Sequence, residues 1–310
     1  MWQRISPCIK ETLPVAFKTS LWFLKIMLPV SFAVMLLSWF NVLPYLSSFA
    51  SPLFVELGLP GDAALVFVTS IFTNIYTVIA LMANLDFTMR EGLILAMMCM
   101  ISHGLIVETL VQKKCGSSAW VMVVLRVSMS FVAAFLLNWL VPEMDGKMVN
   151  EPVALTGFKA TLLHWLESSL LLSVKIVVII SLLMILQRLL KEFGVLKLLS
   201  KGLSPLMDFF GLSRPTAFLW LVGNTLGLAY GSAVLMEDAR SGKISHREAD
   251  LLNWHLAISH SLLEDPLLFA VIGLPWVWLV VPRMVLAALV VLGNRLWHAF
   301  RIEKMIKVKV

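Results

Sequence analysis

Hydrophobic positions along the chain fall in long unbroken runs, without the polar alternation of a soluble fold. The runs cover residues 19–43, 62–84, 92–112 and 119–142, then 168–188, 214–236, 249–270 and 275–294. Runs of about 20 apolar residues match the hydrocarbon thickness of a bilayer and predict membrane helices. Two runs are polar or flexible at their centres, at Thr69-Ser70-Ile71-Phe72-Thr73-Asn74 and at Gly223-Asn224-Thr225-Leu226-Gly227. Non-helical backbone at membrane depth needs protein or a wet cavity around it, so both predict re-entrant hairpins. Arms of about ten residues would reach about 15 Å, close to the bilayer midplane.

The second set of runs repeats the first. Thr88-Met89-Arg90-Glu91, Ser102-His103, Glu108 and Arg126 return as Ser245-His246-Arg247-Glu248, Ser259-His260, Asp265 and Arg283, always 157 residues later. Upstream, Tyr76, Leu81 and Met82 return as Tyr230, Leu235 and Met236, and Ser51-Pro52-Leu53 with Gly58-Leu59 returns as Ser204-Pro205-Leu206 with Gly211-Leu212. Residues 1–150 and 151–310 are therefore two copies of one membrane repeat, integrated into one membrane domain. Such duplication is the ground plan of many secondary transporters.

Charge decides how the copies are oriented. Four full crossings per copy would place Lys113-Lys114 and the run Arg188, Lys191, Lys197, Lys201 outside, and acidic Glu143, Asp145, Glu151 inside, against the positive-inside tendency. If 62–84 and 214–236 dip in and return, every basic segment becomes cytoplasmic. Equivalent loops also carry opposite charge: Glu56 with Asp62 opposes the basic 188–201 run, and 143–151 opposes Arg295, Arg301, Lys304, Lys307 and Lys309. The expected fold is an all-α polytopic membrane protein of two inverted-topology repeats. Each has about three transmembrane helices, one re-entrant hairpin and an interfacial helix near Ser51–Gly58 or Lys191–Gly211. Both termini are expected in the cytoplasm.

Composition agrees, with 59% hydrophobic and 14% charged residues. The first run lacks a small-residue cleavage pattern and reads as a retained span. Cys8, Cys99 and Cys115 show no paired spacing, which argues against a disulfide framework or a zinc knuckle. Trp120, Trp139, Trp276, Trp278 and Trp297 fall near run ends and read as interface anchors. No phosphate loop, nucleophile elbow, HExxH pair or nucleic-acid surface is present, so neither an enzyme nor a nucleic-acid partner is expected.

Chemistry concentrates in few groups. His103 and His260, each preceded by a serine (Ser102, Ser259), sit about ten residues from the ends of their runs and hence near the midplane, where ionisable groups mark solute, ion or proton pathways. Glu264 follows His260 at the interval of one helical turn, which would let the two share a cation; the first copy has Val107 there. His103, His260 and Glu264 are thus the candidate metal-binding set. Thr73, Asn74, Asn224 and Thr225 at the hairpin centres complete the expected substrate site. Glu108 with Arg126 and Asp265 with Arg283 lie at matched depths on adjacent helices and predict one structural ion pair per copy. The Thr-x-x-Glu and Ser-x-x-Glu spacings predict capping boxes, and Asp265-Pro266 predicts a kink.

The repeated Ser-Pro-Leu-x4-Gly-Leu block, the hairpin with Asn74 or Asn224 and the following Met82 or Met236 resemble the Gate-domain, or nucleoside-recognition, membrane proteins over about residues 15–295. That family includes spore maturation proteins and is related to gate regions of B-type ferrous-iron and concentrative nucleoside transporters. The resemblance implies an inner-membrane permease in which hairpin tips meet the Ser-His helices, moving a small polar solute or a divalent cation such as ferrous iron. No resident cofactor is expected; the partners are the bilayer and the cargo, with homo-oligomerisation left open. A nucleoside-type carrier is one alternative, and a non-transporting scaffold or accessory subunit is another.

Overall fold

A computed structural model describes residues 2–42, 45, 51–148 and 157–308. The protein is an all-α membrane protein, with no strand among the described residues. Four helical stretches among these residues are long and apolar enough to cross a membrane: Met89–Lys114, Ala119–Leu140, Phe158–Glu192 and Trp276–Phe300. Glu151 and Lys309, used in the charge argument, lie outside the described residues, as does the last residue of the 19–43 run.

In chain order the helices are α1 (Trp2–Trp39), α2 (Ala63–Phe72), α3 (Ile75–Met82), α4 (Met89–Ser102), α5 (Leu105–Lys114), α6 (Ala119–Leu140) and α7 (Phe158–Glu192). They continue as α8 (Val195–Phe209), α9 (Ala217–Thr225), α10 (Leu228–Arg240), α11 (His246–Ser259), α12 (Glu264–Val271) and α13 (Trp276–Val308). The succession α2 to α6 recurs as α9 to α13. The runs 62–84 and 214–236 each break into two short helices at their polar centres.

Two runs expected to be single helices are also broken. The 92–112 run ends α4 at Ser102 and restarts at Leu105, and the 249–270 run ends α11 at Ser259 and restarts at Glu264. His103 and His260 are the C-cap residues at these breaks, and the following residues, Gly104 and Ser261, are left-handed at φ 55° and 56°. Such a residue turns the chain out of the helix, at little cost for glycine and at a steric cost for serine. Pro266 falls in the first turn of α12 and therefore does not kink a continuous helix, as the sequence had suggested.

The chain forms two compact units, neither continuous in sequence. Met1–Ile106, Val127–Phe193 and Glu264–Leu279 form the first; Val107–Arg126, Gly194–Leu263 and Val280–Val310 form the second. Each unit therefore takes helices from both copies, a different division from that at residue 150.

In the first unit α1 and α7 pair antiparallel along their length. Arg4 meets Glu192 at 2.9 Å and Arg188 meets Glu11 at 3.0 Å near one end; Trp165 Nε1 donates to Ser31 Oγ at 3.1 Å, and Trp39 packs edge-on against Phe158 at the other. At 38 and 35 residues both are longer than a bilayer core requires, so α1 starts well before the expected boundary at residue 19. Helix α4 opens on a complete capping box, with Glu91 returning to the Thr88 amide at 2.7 Å. Its residues from Gly92 to Ser102 are buried on every face, which explains why it is hydrophobic all round.

In the second unit α8 follows a left-handed Gly194 and buries Leu196 and Met207 while exposing Leu198 and Phe209. Helices α9 and α10 approach closely: a Cβ on Gly231 would lie 2.9 Å from the Gly223 Cα, so a side chain there would force the pair apart. Helix α11 opens on its own complete capping box, built by Ser245 and Glu248.

Candidate functional site

Each helix break is joined to its neighbouring hairpin by a backbone hydrogen bond. In the first unit the Gly104 amide donates to the Ser70 carbonyl at 2.9 Å; in the second the Ser261 amide donates to the Gly223 carbonyl at 3.3 Å. The hairpin centres are thus tied to the histidine-bearing breaks by the same device in both copies.

The histidines share one local geometry. His103 Nδ1 lies 3.2 Å from the Cys99 carbonyl and His260 Nδ1 lies 2.8 Å from the Leu256 carbonyl, four residues back in each case. A carbonyl can only accept, so Nδ1 carries a proton and Nε2 is the atom presented outward. In each unit that atom faces a carboxylate. His103 Nε2 is 3.9 Å from Asp265 Oδ2 in the first unit, and His260 Nε2 is 3.1 Å from Glu108 Oε2 in the second. Glu108 and Asp265 are repeat equivalents, so each histidine meets the acid of the other copy. A histidine with Nδ1–H on a carbonyl and Nε2 facing outward is oriented as metal-ligating histidines are.

Arginines complete the second unit's arrangement. Arg126, with no exposed surface, meets Glu108 at 2.6 Å. Arg283, equally buried, donates to the carbonyls of Ile258 at 3.0 Å and His260 at 2.7 Å, satisfying the last turn of α11. Arg126 therefore serves the acid and Arg283 the helix end, the latter a role not read from the sequence.

Glu264 is corrected. The break after Ser259 removes the continuous helix that was to place it one turn from His260. It begins α12 in the first unit and accepts a short hydrogen bond from the buried Tyr76 hydroxyl. Tyr76 carried no chemical reading in the sequence, although its recurrence as Tyr230 marked it.

The hairpin residues divide by role. Asn74 caps α3, its Oδ1 accepting from the Thr77 amide at 3.2 Å, and the Thr73 hydroxyl returns to the Thr69 carbonyl at 2.7 Å. Thr225 likewise returns to Leu221 at 2.7 Å. Asn224 donates to the Trp220 carbonyl at 2.9 Å, and its buried Oδ1 has no partner among the described residues. Ser102 donates to the Met98 carbonyl at 2.9 Å and lies 3.4 Å from Ser70 Oγ, whereas Ser259 lies 2.8 Å from His255 Nδ1.

A protein of Bacillus subtilis (strain 168), described as the uncharacterized membrane protein YvoD, is 30% identical over 271 residues, which is 86% of this chain and 86% of the relative. The chain belongs to the YvoD family of membrane proteins. No family model matches the chain, and no solved structure matches it. Membership in the YvoD family fixes the setting of these buried histidines, acids and arginines as a membrane protein and assigns them no cargo.

Proposed function

We propose that the protein is a permease of the cytoplasmic membrane with both termini in the cytoplasm, built as two inverted Gate-type repeats with re-entrant hairpins. It moves a small polar solute or a divalent cation such as ferrous iron by alternately exposing the histidine–carboxylate pairs. The observation that carries this reading is their repetition: in each unit a broken helix presents a buried histidine whose tautomer is tied by a backbone carbonyl and whose Nε2 faces an acid. Broken helices with ionisable groups at the break are the usual binding elements of duplicated transporters. An imidazole nitrogen opposite a carboxylate suits a borderline divalent cation.

The unpartnered Asn224 Oδ1 favours a second reading, a neutral solute of the nucleoside type, which needs matched donors and acceptors.

Purified protein in vesicles loaded with a metal-sensitive dye tests the first reading. Saturable uptake of ferrous, manganous or zinc ion is expected, reduced at least tenfold in His103→Ala and His260→Ala. Saturable nucleoside uptake lost in Asn224→Ala selects the second reading. Uptake equal to that of empty vesicles for every cation and nucleoside overturns both and leaves a membrane scaffold.

A further inference from the structure

We infer that the second unit is hydrated along α5 and α11, forming a water-filled approach from the Ser117–Asp250 end toward the His260–Glu108 pair. The inference rests on the permease reading for its purpose and on buried polar atoms for its evidence.

The second unit is polar where the repeat-equivalent positions are not. Helix α11 carries Asp250, Asn253 and His255 where α4 carries Leu93, Ala96 and Met98; α5 carries Thr109 and Gln112 where α12 carries Pro266 and Phe269. Several of these side chains form a connected set. Ser117 donates to Asp250 at 2.6 Å, Asn253 Nδ2 donates to Ser117 at 2.9 Å, and Gln112 Nε2 donates to the Asn253 carbonyl at 3.3 Å.

The set is nevertheless incomplete. Thr109 Oγ1, Gln112 Oε1 and His255 Nε2 are buried with no partner among the described residues. For His255 the missing partner is an acceptor. Trp220 Nε1 can only donate, and it does so to His255 Nδ1 at 3.2 Å, so the imidazole proton resides on Nε2. That N–H lies in a residue with no exposed surface, against Phe210 and Trp220. A buried donor and buried acceptors left unpaired are costly, and lipid offers neither. Water supplies both, and a buried water typically makes about three hydrogen bonds to groups of this kind.

The approach has a length and a direction. From Asp250 to His260 the helix rises about 15 Å, half of a hydrocarbon core of about 30 Å. In the first unit the matching stretch of α4, from Leu93 to Ile101, is apolar and wholly buried. Water therefore enters along the second unit only.

Repeat-matched cysteines test this. In a background carrying Cys8→Ala, Cys99→Ala and Cys115→Ala, the pairs Asn253→Cys with Ala96→Cys, and Gln112→Cys with Phe269→Cys, are exposed to 2-aminoethyl methanethiosulfonate in membrane vesicles. Reaction at 253 and 112 is expected at least tenfold faster than at 96 and 269. Radiolytic hydroxyl-radical footprinting of the unaltered protein gives a reading independent of folding of the variants, with His255 oxidised and its repeat mate Met98 protected. Equal rates within both pairs, or protection of His255 together with Met98, overturns the inference. Failure here with cation or solute uptake intact leaves the permease reading standing, and labelling without uptake removes the permease reading alone.

Discussion

The imidazole Nε2 of His260 lies 3.1 Å from a carboxylate oxygen of Glu108, an acid supplied by the other copy of the repeat. The same carboxylate meets the fully buried Arg126 at 2.6 Å. One acid thus answers both a permanent cation and a histidine.

Removing that acid's charge leaves Arg126 without its counter-charge, at a cost of about 3–5 kcal/mol for one partner of a buried pair. Glu108→Gln should therefore lower the yield and melting temperature of purified protein. Arg126→Met added to it should recover part of the loss, because the uncompensated cation is gone. A double variant no more stable than the weaker single would show that the pair is not what holds these helices.

Gly104 and Ser261 occupy the same left-handed conformation at equivalent breaks. A side chain there costs about 1–2 kcal/mol. Gly104→Ala should lower the melting temperature and Ser261→Gly should raise it, by thermal unfolding in detergent. Shifts of one sign for both would mean that the conformation differs between the copies.

The Ser245 cap couples α11 to pH. The Ser213 hydroxyl, then the amide and hydroxyl of Ser245, hold the Glu248 carboxyl below its ordinary value. A depressed carboxyl contributes stability that is present above its unfolded value of about 4.3 and is lost as pH falls through the folded value. Ser245→Ala should cost about 1 kcal/mol at neutral pH. That difference should shrink on acidification below pH of about 4, followed by pH-dependent thermal unfolding.

Tyr76 bonds Glu264 inside the first unit. Tyr76→Phe removes a hydrogen bond to a charged group worth about 1.5–3 kcal/mol. Glu264→Gln keeps an acceptor and should destabilise less while leaving uptake near that of the parent protein. Abolished uptake in a stably folded Glu264→Gln protein would restore Glu264 to the site.

The proposed inverted topology would place residues near Lys147 outside and near Lys197 inside. Reporter fusions at these two positions should give opposite signals in that sense. The reverse pattern would favour parallel repeats.

The sequence by itself determined the membrane setting, the helical class and the duplication, because apolar length and a repeated spacing are carried by single residues and their intervals. It also located both capping boxes, since Thr88 with Glu91 and Ser245 with Glu248 are close enough in the chain for spacing to fix geometry. The nearness of Glu108 to Arg126 followed from matched depth on consecutive helices. Other relationships were settled by tertiary structure alone. Gly104 could have signalled the first break, but Ser261 is a residue that ordinary helices tolerate, and the amides of Ser261 and Leu263 bond instead to the distant Gly223 and Asn224 carbonyls. The pairing of His103 with Asp265 and of His260 with Glu108, and that of Tyr76 with Glu264, joins residues over 150 positions apart. Hydrophobic period reports which face of a helix is buried; it does not report which distant helix lies against that face, and for these acids the neighbour decided the partner.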